Sequence, residues 1–274
     1  MPESLQPRVQ PIEGGGILYD AARLSKPVDA LFAPSFWVDR QALSFVAGGR
    51  GGVAFIQPGE FELAAPSHGA LKATAVDDHG GGADRGNCSN IEWALRHYRR
   101  GGFAARFSAD RYFWQGEART RSFSEWSLLG RLRQLSLPVP APIAARYRRE
   151  GLLYTADLIT ERLYGTRTLA ETMLAGHIGE SGWRLAGQTV ARFHAAGVQH
   201  ADLNANNLLL GEEETCYLLD FDRGRIRRRG VWEQRVLARL HRSLEKIKSA
   251  NPAAEFGAAQ WDAFLRGYRG TAEG

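Results

Sequence analysis

The run His200-Ala201-Asp202-Leu203-Asn204-Ala205-Asn206-Asn207, followed by Leu219-Asp220-Phe221-Asp222, decides the reading of this chain. Between them lie two apolar runs, Leu208-Leu209-Leu210 and Cys216-Tyr217-Leu218-Leu219, around the turn Gly211-Glu212-Glu213-Glu214. Short apolar runs flanking a polar turn read as a tight hairpin. Such a hairpin returns Asp220 beside Asp202 and Asn207, so two carboxylates and an amide converge from separate stretches. Asp and Asn also stabilise turns on their own account, and for each residue taken singly that plainer role competes. The combination, at this spacing and between a helix and a hairpin, favours a site.

Outward from this segment the elements change in kind. Upstream, Trp183, Ala186, Val190, Phe193 and His194 mark a helix that ends at Gly197, a residue suited to left-handed helix termination. Downstream, the basic stretch 223–229 leads into a helix over about 231–248, with the stripe Val236, Leu237, Leu240, Leu244 and Ile247. A last short helix holds Trp261, Phe264, Leu265 and Tyr268. The first part of the chain is different. Runs 44–46 and 53–56 flank Gly48-Gly49-Arg50-Gly51-Gly52 as a hairpin, and a third strand, 92–98, runs into Arg99-Arg100-Gly101-Gly102. A helix follows, capped at Ser122 or Ser124 and carrying Glu125, Trp126, Leu129 and Leu132, and the run from Pro138 to Pro142 stops it. A second hairpin pairs 143–147 with 152–159. Residues 64–90, rich in Gly, Ala, Asp and Ser, cannot bury a core and read as a flexible insertion. The expectation is an α+β chain cut once: residues 1–160 β-rich with one main helix, and 161–274 helical.

Composition sets the limits. The chain has 274 residues, enough for one or two domains, and 44% hydrophobic and 24% charged residues exclude a disordered or collagen-like chain. Cys88 and Cys216 are far apart, which excludes a disulfide framework or a Cys-rich zinc site. No apolar run is long enough to span a bilayer, and residues 1–10 lack the apolar core of a secretory signal, so the expected location is cytoplasmic. A net charge of +5 and a pI near 9.4 allow an anionic partner. No nucleic-acid-binding motif accompanies that charge, and none is expected as a partner.

The quoted segment resembles the H-R-D-L-x-x-x-N loop and D-F-G motif of the protein-kinase-like superfamily. That resemblance implies a two-lobed fold in which Asp202 accepts the proton of the acceptor hydroxyl, Asn207 and Asp220 hold Mg²⁺, and His200 braces the loop. It also points to Gly49 and Gly51 as a phosphate-covering loop, to Arg96 in the place of the phosphate-binding lysine with Lys72 as the alternative, to Glu125 as its partner, and to Glu161 as the hinge that carries the adenine of ATP. Ala201 replaces the arginine of H-R-D, and Asp222 replaces the glycine of D-F-G. Too little chain follows for the helical lobe that holds protein substrates, so a small-molecule or lipid-linked acceptor is expected. Taken with Leu95-Arg96-His97-Tyr98-Arg99-Arg100-Gly101-Gly102 and Leu137-Pro138-Val139-Pro140, the motifs are similar to the 3-deoxy-D-manno-octulosonic acid (Kdo) kinase family, related to the heptose kinases of lipopolysaccharide core synthesis. This resemblance implies an ATP- and Mg²⁺-dependent kinase acting on the 4-hydroxyl of Kdo on a lipid A precursor, peripheral on the cytoplasmic face of the inner membrane. Arg99, Arg100, Asp222, Arg225 and Arg227 then become candidates for holding the anionic acceptor. A heptose or other sugar acceptor, and a pseudokinase scaffold, are the alternatives.

Overall fold

The computed structural model describes residues 5–47, 52–59, 91–99, 110–212 and 214–270. By contact the described residues form two units: those of 5–114 together with 142–162, and those of 115–141 together with 163–270. The chain therefore passes between units three times, where the sequence suggests one cut at 160/161.

The first unit is built on an antiparallel sheet. Its strands are β1 (Pro7–Ile12), β2 (Gly15–Asp20), β3 (Leu43–Ala47), β4 (Val53–Ile56), β5 (Trp93–His97), β6 (Tyr112–Phe113), β7 (Pro142–Glu150) and β8 (Leu153–Glu161). Their order is β1-β2-β7-β8-β5-β4-β3, with β6 also pairing with β8. The expected hairpins are both present: β3 pairs with β4, and β7 with β8. A further hairpin, β1–β2, carries Pro7 and Pro11 in its first strand. Pro is tolerated there because β1 is an edge strand. Side chains alternate about β5, with Trp93 and Leu95 buried. They join Ile17, Trp37, Ile56, Ile143 and Ile159 in one core, into which the short helix α1 (Pro34–Val38) inserts Trp37. A polar row crosses three strands at the positions paired in register, His97 on β5, Asp157 on β8 and Arg146 on β7. Gly49, Gly51, Lys72, Arg100 and the 64–90 insertion lie outside the described residues.

The second unit holds α2 (Arg121–Gln134), α3 (Leu169–Ala175), α4 (Gly179–Ala195), α5 (Trp232–Ala250) and α6 (Ala258–Gly270), with short strands β9 (Arg167–Thr168), β10 (Val198–Gln199), β11 (Leu208–Leu210), β12 (Cys216–Leu218) and β13 (Arg225–Ile226). Thr120, rather than Ser122 or Ser124, stands at the N-cap of α2. A Cβ at Gly187 of α4 would collide with the carbonyl of Phe264, and one at Gly267 of α6 with that of Arg184. This pair of glycines lets the two helix backbones approach closely. His194 of α4 also hydrogen-bonds the Tyr268 hydroxyl of α6 at 2.8 Å. Burial holds the His194 pKa down to about 4.

Candidate active site

The loop between β10 and β11 carries Asp202 and Asn207, and it is wired through its own backbone. The Asn204 and Asn207 side-chain amides both donate to the Asp202 carbonyl at 2.9 Å. The Asn206 N–H donates to Asn204 Oδ1 at 2.9 Å, an Asx turn of the kind Asn favours. His200, buried, joins this loop to the next. Its Nε2 donates to the Leu219 carbonyl at 2.8 Å, and its Nδ1 accepts the Asp202 N–H at 3.2 Å. Those two bonds require the neutral Nε2–H tautomer, and burial lowers the His200 pKa in the same sense. The ring packs 4.9 Å from Phe221, which stacks on Phe193 of α4 at 5.6 Å.

The β11–β12 hairpin then does what its pattern predicts. Leu208 pairs with Leu218, and the Leu219 N–H reaches the Asn207 carbonyl at 2.9 Å. Asp220 thus follows directly on a residue bonded to Asn207. It has φ +60°, in the left-handed region where Asp is among the few side chains tolerated. Glu125, buried on α2, accepts the Phe221 N–H at 3.1 Å and so fixes the loop immediately after Asp220. Arg121, one turn before it, pairs with Asp222 at 2.6 Å. Helix α2 therefore grips this loop through two side chains spaced i, i+4 on one face.

The donor set suits a hard divalent cation. With its Nδ2 committed to the Asp202 carbonyl, Asn207 is left with Oδ1 as the atom for a metal, and Asp220 supplies a carboxylate. Oxygen ligands of this kind, completed by phosphate and water, are what Mg²⁺ takes.

The Asp202 carboxylate is half-exposed. Its Oδ1 accepts from Nε of Arg239 on α5 at 2.7 Å and is also paired with Nη2 of the same side chain. One turn on, Ser243 Oγ accepts the Ala205 N–H at 3.3 Å. Neither residue was singled out from the sequence. They lie on a helix whose only visible signal is its apolar stripe, and nothing local relates them to a loop far upstream.

The remaining candidates lie as follows. Arg96 faces Leu158 and Val53 across the sheet, and its Nη2 donates to the Tyr98 hydroxyl at 3.1 Å. Arg99 is exposed at the end of β5. Glu161 ends β8 and meets Arg23 at 3.3 Å. Arg225 is exposed on β13, and Arg227 donates to Gln199 at 3.2 Å. Arg229 is held by both carboxylate oxygens of Glu233, at 3.0 and 3.1 Å.

The sequence matches the family model "Lipopolysaccharide kinase (Kdo/WaaP) family" over residues 70–268. It is 42% identical over 247 residues to the 3-deoxy-D-manno-octulosonic acid kinase of Xanthomonas axonopodis pv. citri, covering 90% of this chain and 86% of that one. It is 42% identical over 235 residues to the enzyme of the same name from Stenotrophomonas maltophilia, covering 85% and 82%. Among solved structures, WaaP in complex with acyl carrier protein aligns over 89% of this chain and 86% of that chain, with 17% identity and a TM-score of 0.48. The loop that positions Asp202 and Asn207 beside Asp220 thus sits within the matched region, and the chain belongs to the lipopolysaccharide kinase (Kdo/WaaP) family.

Proposed function

We propose that this protein transfers the γ-phosphate of ATP to the 4-hydroxyl of a Kdo sugar on a lipid A precursor. The observation that carries the reading is the direct bond between the two motifs, Leu219 N–H to the Asn207 carbonyl, which sets Asp220 next to Asn207 on a loop shared with Asp202. Phosphoryl transfer asks for positioning and charge neutralisation more than for covalent help. Asp202 orients the acceptor hydroxyl and takes its proton while the sugar oxygen bonds to phosphorus and the bond to the ADP oxygen breaks. Asn207 and Asp220 would hold Mg²⁺, which when bound draws charge off the phosphates. Glu125 and His200 keep that loop in register. The nucleotide roles read for Arg96, Glu125 and Glu161 belong to this proposal, as does a lobe boundary near 160/161.

An anionic, lipid-linked acceptor accounts for the arginines after Asp222. Arg225, Arg227 and Arg228 are exposed, with Ile226 and Val231 exposed among them. Guanidinium groups bind phosphate and carboxylate in bidentate fashion. A basic surface with apolar side chains also suits the anionic face of the inner membrane, where each basic residue near the surface contributes about 1 kcal/mol. No helix among the described residues is long and apolar enough to cross a membrane, which fits peripheral contact.

The test is incubation with Mg-ATP and a Kdo-bearing lipid A precursor, with the phosphorylated position located by NMR or mass spectrometry. Phosphate on the Kdo 4-hydroxyl supports the assignment. Transfer only to a heptose-bearing acceptor would move it to another sugar, and transfer to neither would leave a scaffold.

A further inference from the structure

We propose that Arg239 is a positioning residue for phosphoryl transfer: from α5 it clamps one oxygen of Asp202 so that the other faces the acceptor hydroxyl. This rests on the reading of Asp202 as the proton acceptor. Arg239 and Asp202 are each about half exposed, at 51% and 53%. An exposed ion pair contributes little to stability, so the fold does not need this contact. Its geometry is nonetheless directed. Nε and Nη2 of one guanidinium both address Oδ1, and no described residue bonds Oδ2.

The guanidinium is delivered from a fixed base. Leu240, the next residue along α5, and Leu244 are fully buried. Ser243, one turn beyond Arg239 on the same face, accepts the Ala205 N–H of the very loop that carries Asp202. Helix α5 therefore touches the loop twice, once through backbone and once through the carboxylate. A water-exposed Asp left to itself samples several rotamers, and only some point an oxygen at the acceptor. Holding Oδ1 removes that freedom before substrate arrives, the kind of pre-alignment that converts small displacements into large rate effects. The lysine alternative would offer one rotatable point charge in place of a planar fork.

The experiment compares Arg239→Ala, Arg239→Gln, Arg239→Lys, Asp202→Asn and the double variant Arg239→Ala/Asp202→Asn. Steady-state and single-turnover rates on a Kdo-bearing lipid A precursor are measured with KM for ATP and thermal melting. Arg239→Ala and Arg239→Gln should lower kcat about tenfold to a hundredfold, with KM for ATP and the melting temperature unchanged. Arg239→Lys should recover part of the rate, and millimolar guanidinium should partly restore Arg239→Ala but not Asp202→Asn. The double variant should be no slower than Asp202→Asn. Unchanged kcat in Arg239→Ala, a rise in KM for ATP that accounts for the loss, or a further loss in the double variant would each overturn the positioning role. Near-normal turnover by Asp202→Asn would overturn the proton-acceptor reading itself, and the clamp with it.

Discussion

Two polar networks, one in each unit, differ in how deeply their charges are buried. In the sheet, Asp157 is buried between partners that neutralise it: Arg146 bonds its Oδ2 through Nε at 3.0 Å and Nη2 at 2.7 Å, and His97 Nδ1 meets its Oδ1 at 2.7 Å. Nη1 of Arg146 donates to Asp29 Oδ1 and to the Asp29 carbonyl, both at 3.0 Å. Charge is balanced locally, and the row stitches three strands together. Around Asp202 and Asp220, Asn side chains, a neutral histidine and Glu125 hold the loop backbone, and Arg239 and Arg121 pair with Asp202 and Asp222. The guanidinium that meets Asp202 belongs to the half-exposed Arg239, whereas the Arg146 of the sheet network is largely buried. The contrast separates a buried carboxylate tied into the sheet from a half-exposed one on a loop, although the two look alike in composition.

The largest expected effect breaks the comparison on the chemical side. Asp220→Asn and Asp202→Asn should each lower kcat by about a thousandfold or more, about 4 kcal/mol of transition-state stabilisation. Both should still fold, since Asn tolerates the left-handed backbone of residue 220 and Asp202 is half-exposed. Asp220→Asn should also diminish the melting shift produced by Mg-ATP, and Asp202→Asn should keep it. Turnover within tenfold of wild type in either variant would show that this network serves only the loop.

Asp157→Asn should behave in reverse. It removes the buried carboxylate that Nε and Nη2 of Arg146 address, and the loss should be about 2–4 kcal/mol in denaturant unfolding, with kcat within a few-fold of wild type at a temperature where the variant is folded. A large loss of kcat without a loss of stability would dissolve the distinction between the two networks.

Next in size is the arginine stretch. Replacing Arg225, Arg227 and Arg228 together by Ala should raise KM for the lipid acceptor about tenfold and leave KM for ATP within twofold. Binding to anionic vesicles should weaken and become less salt-sensitive. Arg229→Ala should change neither, because Glu233 already holds that side chain. If Arg229→Ala matches the triple variant, the division of the stretch by local pairing is wrong.

The smallest effect separates the two units by pH. Hydrogen bonding to Asp157 raises the His97 pKa above 6.5. Its contribution to stability is therefore present below pH 6.5 and is lost as pH rises through the folded value. His194 has the opposite sign. Burial lowers its pKa from 6.5 to about 4, so its contribution is full above pH 6.5 and falls as pH drops from 6.5 toward 4. His97→Gln should flatten the alkaline side of the stability profile, and His194→Gln the acidic side. A shared slope in both variants would mean that neither environment governs its histidine.

Much of this was readable from residues alone, for a physical reason in each case. The β3–β4 and β7–β8 hairpins and helices α4, α5 and α6 announce themselves because periodicity records which face is buried. The Asp202, Asn207 and Asp220 triplet is legible because two motifs sit on either side of a short hairpin, so a local turn suffices to bring them together. Where long-range packing decides, the sequence is silent. The β1–β2 hairpin is hidden by prolines that an edge strand tolerates. Helix α2 reads as part of the N-terminal half, yet it groups with the chain from Leu163 onward, where Glu125 binds the Phe221 N–H and Arg121 binds Asp222. Arg239 reaches Asp202 from α5, which buries Leu240 and Leu244 and bonds the same loop through Ser243. The sequence by itself determined the chemical groups and the local turns that carry them, since these depend on neighbours along the chain. Tertiary structure alone decided which charges meet one another, because that depends on partners tens to hundreds of residues away.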